Sequence, residues 1–265
     1  MTRVVLAGAT GWAGSALARG IAKQADLALV AAVARSTAGS SLGAALGDPA
    51  LSTPVFATAR EALAVGADVF VEYTKPDSAK ANILAALDAG AHVVVGTSGL
   101  TDADYRAIDE RAQACARGVV ACGNFAITAV LLQKFAQIAA RYLEHFEVID
   151  YAHEDKVDAP SGTARELAFR LGAVRRPHEA VPIDAVRGPR EARGAELNGV
   201  RVHSVRLPGY VIGVEAIFGG PGQRLHLKHD AGASAEPYVD GALLAIRRVH
   251  ALVGVHRGLD SVMDD

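Results

Sequence analysis

Two stretches of this chain combine residue types and spacings that can do chemistry. The first is Gly8-Ala9-Thr10-Gly11-Trp12-Ala13-Gly14, a G-x-x-G-x-x-G loop. Glycines so spaced let the backbone close on a pyrophosphate, whose charge then rests on free N–H groups at the start of the following helix. The second is His153-Glu154-Asp155-Lys156-Val157-Asp158-Ala159-Pro160-Ser161-Gly162-Thr163. Here Lys156 supplies a cation and a general acid, and Ser161, Gly162 and Thr163 offer N–H groups and two hydroxyls to a carboxylate. Each stretch also has a plainer reading: a glycine-rich turn, and an N-cap serine beside a surface lysine.

These residues need elements to position them. In the first half, Val4–Ala7 reads as a strand, Ser15–Gln24 as a helix and Leu27–Val33 as a buried strand. Val69–Tyr73, His92–Val95 and Val119–Ala121 read as further strands, with helices over Ser78–Leu87 and Asp102–Ala116 between them. Alternation of this kind predicts an α/β fold, a doubly wound parallel sheet forming a dinucleotide-binding domain over residues 1–125.

The pattern then changes. Leu131, Phe135, Ile138 and Tyr142 have the spacing of one face of an amphipathic helix. A strand over Phe146–Glu154, a helix over Ser161–Leu171 and a polar stretch over Arg175–Arg193 follow. The runs Val200–Leu207, Tyr210–Phe218 and Arg224–His229 are parted by Pro208-Gly209 and by Gly219–Gly222, which predicts antiparallel neighbours. Residues 126–235 therefore read as an α+β substrate-binding and oligomerisation domain. A helix from about Glu236 to Leu252, within a terminal segment of about 236–265, is expected to pack back on the first domain.

The end of the second strand selects the cofactor. An acidic residue there would hold the ribose 2′-hydroxyl of NAD. The chain has Val33-Ala34-Arg35-Ser36 instead, and Arg35 with Ser36 suits a 2′-phosphate, so NADPH is expected, with NADH possible. Tyr73-Thr74-Lys75-Pro76 and Gly96-Thr97-Ser98-Gly99-Leu100 follow parallel strands and lie where such sheets bind ligands. The second reads equally as a nicotinamide-ribose cradle or as a turn with a helix cap.

Composition narrows the classes. The 265 residues are 51% hydrophobic and 21% charged, which excludes a disordered chain. Lysine and arginine number 27 against 29 acidic residues, so no basic excess points to nucleic acid. No apolar run approaches the roughly 18 residues of a membrane span, and no leader is read at the N-terminus, so a cytoplasmic protein is expected. Two cysteines make no disulfide framework and no zinc spacing. His226 and His229, three apart on an expected strand, face opposite sides, so no metal site is expected.

In its glycine loop, Glu72-Tyr73-Thr74-Lys75-Pro76, Gly96-Thr97-Ser98-Gly99, Gly123-Asn124-Phe125 and Lys156–Thr163, the chain resembles the 4-hydroxy-tetrahydrodipicolinate reductase (dihydrodipicolinate reductase) family. The resemblance covers nearly the whole chain, and Lys-x-Asp-Ala-Pro-Ser-Gly-Thr is its most specific part. It implies a Rossmann domain and a mixed-sheet substrate domain, usually in a homotetramer built through those sheets, with a homodimer as the alternative. It implies hydride transfer from NAD(P)H to a cyclic dicarboxylate of lysine and diaminopimelate biosynthesis. Gly8, Thr10, Gly11, Trp12 and Ala13 fall at the pyrophosphate loop, and Arg35 and Ser36 at the phosphate side. Gly96, Thr97 and Ser98 fall at the nicotinamide side, and Cys122, Gly123, Asn124 and Phe125 at a second cofactor loop. Lys156 matches the proton donor, and His153, Ser161, Gly162 and Thr163 the substrate side.

The chain departs from the family's His-His-x-x-Lys pattern, because the first histidine is Ala152. His153 alternates to the other strand face and is no simple replacement, whereas Glu154, expected on the face of Ala152, is a candidate stand-in. A later histidine is missing around Gly213-Val214-Glu215, and Ala34 replaces an acidic residue. Three functions stay open: the lysine-pathway reductase, a paralogue reducing another cyclic imine or conjugated acid, and a non-catalytic NADP-binding protein. Retention of Lys156 beside Ser161-Gly162-Thr163 argues against the last.

Overall fold

Val4–Ala7, Val69–Val71 and Val93–Val95 are buried on both faces, as the inner strands of a helix-covered parallel sheet must be. The structure is a computed structural model describing residues 1–263. Up to residue 127 the elements are β1 (Thr2–Ala7), α1 (Trp12–Ala22), β2 (Leu27–Val33), α2 (Leu42–Leu46), β3 (Val55–Phe56) and α3 (Ala59–Leu63). Then come β4 (Val69–Glu72), α4 (Pro76–Asp88), β5 (His92–Val95), α5 (Asp102–Ala114) and β6 (Gly118–Ala121). The chain continues through α6 (Ile127–Tyr142), β7 (His145–Ala152), α7 (Gly162–Val174), β8 (Ala195–Leu197), β9 (Val200–Arg206), β10 (Ile212–Gly220) and β11 (Gln223–Ala231). It ends in α8 (Val239–Arg248) and β12 (Gly254–Arg257). Residues 1–127 with those from 235 onward form one compact unit, and 128–234 form a second.

The first unit is a seven-stranded sheet in the order β12-β6-β5-β4-β1-β2-β3, parallel throughout. Several helix starts are encoded locally. Thr101 and Asp104 make a reciprocal capping box at α5, Thr58 and Glu61 another at α3, and Pro76 opens α4. α1 begins three residues earlier than the apolar pattern suggests, because extended Gly11 already caps it. The sequence reading contains no elements between Ala34 and Val69, where α2, β3 and α3 are only two to five residues each.

The expected C-terminal helix needs correction. Only Val239–Arg248 is α-helical, flanked by 3-10 turns at 236–238 and 249–251, and the chain then forms β12 beside β6. Gly254, at φ +82°, turns the chain into that strand. Residues 264 and 265 lie outside the described residues. α8 does pack on α1 within this unit, where a Cβ on Gly20 would strike Val239.

The second unit is a five-stranded mixed sheet in the order β11-β10-β7-β9-β8. β10 and β11 pair antiparallel across the Pro221-Gly222 turn, as the turn residues imply. β9 and β10 are not neighbours, because β7 lies between them, parallel to β9 and antiparallel to β10. The five residues Leu207–Val211 suffice to arch over one strand. The Leu207 N–H bonds the Ala152 carbonyl on one side of the arch, and the His153 N–H bonds the Val211 carbonyl on the other.

α6 also turns differently from expectation. The stripe of Phe135, Ile138 and Tyr142 is exposed, Tyr142 by 81%, whereas Ala129, Leu132, Gln133, Ala136 and Ala140 are buried. Both stripes have helical spacing, and the alanine-rich one lets the helix approach the sheet closely. It joins Phe146, Val148, Leu167, Leu171, Val214 and Phe218 in the core of this unit.

Candidate active site

In the first unit, β1 delivers the glycine loop. Gly8 has φ +77°, and a Cβ there would lie 2.2 Å from the Tyr73 carbonyl oxygen, so only glycine lets this loop meet the β4–α4 loop. At Gly14 a Cβ would lie 2.1 Å from the Gly8 oxygen. α1 has no side-chain cap and no acidic residue in its first turn, which leaves N–H groups and the positive helix end for an anion. The Gly8 N–H bonds the Val33 carbonyl at 2.9 Å, setting the loop beside the end of β2. There Ala34 is buried, and Arg35 and Ser36 are exposed in a short turn. Thr10 is half-buried in the loop.

Glu72, fully buried at the end of β4, ties two loops together. It accepts bonds from the Thr74 N–H at 2.7 Å, the Asn82 amide at 2.9 Å and the Thr97 hydroxyl at 3.3 Å. Burial pushes its carboxyl above the usual range, against these hydrogen bonds. The tied loops line a cavity of about 350 Å³. Its walls are Trp12 and Ala13, Tyr73–Pro76, Gly96–Ser98, Cys122–Phe125 and Tyr238, so expected cofactor residues of three loops meet here, while Gly8, Thr10, Gly11, Arg35 and Ser36 lie outside this lining. Tyr73 and Phe125 form a tilted ring pair at 5.8 Å, and Trp12 meets Tyr238 edge-on at 5.7 Å. Tyr238 was not legible as a site residue, since nothing local marks it and the return of the chain through α8 delivers it.

In the second unit, β7 ends at Ala152, and the Lys156 N–H bonds the His153 carbonyl in the turn beyond. The Lys156 Nζ lies 2.7 Å from Asp158 Oδ1 and holds the Asp158 carboxyl below its usual range. His153 is exposed and bonded to Asp155 at 2.7 Å. Gly162 is exposed and Thr163 half-buried at the start of α7. Ser161 serves the helix start. Its side chain is buried and accepts from the Ala164 N–H as the helix cap. Glu154 lies exposed beyond the strand end and does not share the face of Ala152. Ala152 is fully buried, in register with Arg206 on one side and Ile212 on the other.

His226 and His229 do face opposite ways. His226 bonds Glu215 at 2.7 Å, whereas His229 is buried against the Thr128 hydroxyl at 2.9 Å, with its pKa lowered by burial. Among the described residues no cluster of three metal-ligating side chains occurs, and no helix is long and apolar enough to cross a membrane.

The family model for the N-terminus of dihydrodipicolinate reductase matches residues 2–125, and that for its C-terminus matches residues 128–263. The chain belongs to the dihydrodipicolinate reductase family. It is 36% identical over 264 residues to the 4-hydroxy-tetrahydrodipicolinate reductase of Desulfitobacterium hafniense, covering 99% of this chain and 98% of the relative. Against the enzyme of that name from Moorella thermoacetica it is 40% identical over 273 residues, with the same coverage. The dipicolinate-bound dihydrodipicolinate reductase from Paenisporosarcina sp. TG-14 superimposes with a TM-score of 0.89 at 31% identity, covering 99% of this chain and 100% of that one. An amine dehydrogenase from Mycobacterium smegmatis, at a TM-score of 0.69 and 16% identity, shares the fold alone. As a dihydrodipicolinate reductase family member, the chain is an NAD(P)H-dependent oxidoreductase. The paralogue and non-catalytic readings find no support in these comparisons.

Proposed function

We propose that this chain catalyses the 4-hydroxy-tetrahydrodipicolinate reductase step of lysine and diaminopimelate biosynthesis, reducing a cyclic unsaturated dicarboxylate with NADPH. The observation that carries the reading is the turn before α7. It joins Lys156 to the uncapped N–H groups of Gly162 and Thr163, a proton donor beside a carboxylate site. The Gly8 and Gly14 close approaches and the uncapped start of α1 fit a dinucleotide pyrophosphate. A bound nicotinamide supplies the hydride. Gly162 and Thr163 hold one substrate carboxylate, and Lys156 gives its proton to the atom left electron-rich by reduction.

Arg35 and Ser36 select NADPH, since a guanidinium pairs with a phosphate through charge-assisted bonds and the stretch 33–37 at the end of β2 carries no carboxylate for a ribose hydroxyl. The face of the second sheet carrying Glu147, Ile149, Tyr151 and Ile217 is half-buried, and we infer that it is the surface of assembly into a homotetramer. A cytoplasmic location goes with this role.

The test is NADPH oxidation with freshly generated lysine-pathway substrate. Wild type turns over, and Lys156→Ala loses about 10²–10⁴-fold in kcat with its NADPH affinity intact. Absence of wild-type turnover refutes the reading. Titrating NADPH and NADH into wild type and Arg35→Ala tests the cofactor, and equal wild-type affinities refute the preference.

A further inference from the structure

We propose that the ion pair between buried Asp150 and half-buried Arg206 is a positioning device that fixes the anion-binding turn, and through it Lys156, on the sheet of the second unit. The proposal rests on the substrate-side reading of that turn given above. Asp150 is fully buried on β7, and its Oδ2 accepts from the Ser161 N–H at 2.9 Å and from Arg206 Nη2 at 2.7 Å. The same Arg206 nitrogen donates to the Asp158 carbonyl at 2.7 Å. Asp158 is the residue whose carboxylate holds the Lys156 ammonium. One ion pair therefore grips the turn at both ends. Asp150 sets the start of α7, where the Gly162 and Thr163 N–H groups emerge, and Arg206 sets the backbone of the lysine's partner.

Val157, in the middle of the turn, is 100% exposed. The form of the pair agrees with the assignment. An arginine–carboxylate pair standing alone favours two parallel bonds. Here Asp150 Oδ1 and Arg206 Nε are both buried without a hydrogen-bond partner among the described residues, while Nη1 turns to the Val205 carbonyl at 2.9 Å. The guanidinium gives up the second bond to the carboxylate and reaches the loop. An ion pair with one partner fully desolvated is weak evidence for stability, so a geometric role accounts better for its presence.

The test uses Arg206→Lys, which keeps the charge but not the fork, and Asp150→Asn, which keeps an acceptor for Ser161. Phe218→Leu, a core change elsewhere in the unit, controls for lost stability. Hydrogen exchange of the segment 153–164, kcat, KM and the NADPH dissociation constant are measured on each. We expect faster exchange in the turn, unchanged exchange later in α7, and NADPH affinity within a small factor of wild type. We expect kcat/KM to fall by as much as about 10²-fold, the effect of misplacing catalytic groups by an ångström. Phe218→Leu should lower the melting temperature without moving turn exchange or kcat/KM. Unchanged turn exchange in both variants overturns the proposal, as does faster exchange with unchanged kcat and KM. If wild type proves inactive on the substrate, the functional reading falls, and the exchange result still decides the positioning role.

Discussion

Ala152 is fully buried between Arg206 and Ile212 in register, at the position where the family resemblance leads us to expect a histidine. With the lysine-pathway substrate, Ala152→His is expected to raise kcat while leaving NADPH affinity unchanged. The larger ring should also cost about 1–3 kcal/mol in stability, because it enters a filled site. Steady-state kinetics and thermal melts check both. An efficient wild type that the imidazole does not improve shows that the histidine is dispensable here. Glu72 carries a second residue-scale expectation. Its folded pKa is raised by burial, so its contribution to stability is complete below the unfolded carboxyl pKa and fades as pH rises through the folded one. Glu72→Gln removes that titration. The melting temperature of the variant minus that of wild type should therefore shift in the variant's favour from about pH 4 to about pH 8. A pH-independent difference would show that Glu72 does not titrate in this range.

α6 separates two stripes of equal periodicity, and its packing makes them unequal in energy. Leu132 is 4% exposed in the core of the second unit, whereas Phe135 is 51% exposed. Leu132→Ala is expected to cost about 2–5 kcal/mol by opening a cavity. Phe135→Ser should stay within about 0.5 kcal/mol, as a surface change does. Chemical denaturation of the two variants distinguishes them, and the reverse order would return the buried face to the stripe read from the apolar pattern. The same reasoning explains β7. It is buried on the side of Phe146, Val148, Asp150 and Ala152 and only half-buried on the side of Glu147, Ile149 and Tyr151, so its two faces serve different purposes.

At the scale of the molecule, that half-buried face is the one the proposed homotetramer would use. Tyr151 donates to Glu215 at 2.7 Å, His226 reaches the same carboxylate, and Lys228 lies over the Tyr151 ring. Ile149 is in register with Glu215 and His203 in the centre of this surface. In the proposed homotetramer, Ile149→Arg is expected to give smaller species, because a longer charged side chain at the centre of this face would have to lose hydration against a facing copy. NADPH affinity should persist, since the dinucleotide loop lies in the other unit. Light scattering and cofactor titration test this, and an unchanged mass would remove the sheet face from the interface.

Local pattern alone determined much of this protein. Continuous apolar runs specified most of the strands of the parallel sheet, since strands covered on both faces need no polar alternation. The glycine loop and the stretch from Lys156 to Thr163 were legible because their chemistry is packed into contiguous residues. Pairings across the chain were not legible in the same way. Whether β9 lies beside β10 or beside β7 depends on which edges hydrogen-bond over dozens of residues, and a five-residue connection permits both. The inward turn of Ser161 needs Asp150, and the guanidinium that shares that carboxylate comes from a residue 56 positions away. Tyr238 enters the cavity lined by the glycine loop, and β12 extends the first sheet, only because the chain returns from the second unit. Periodicity records which faces are apolar. Which partner covers each face is settled by packing and by backbone hydrogen bonding across the folded chain.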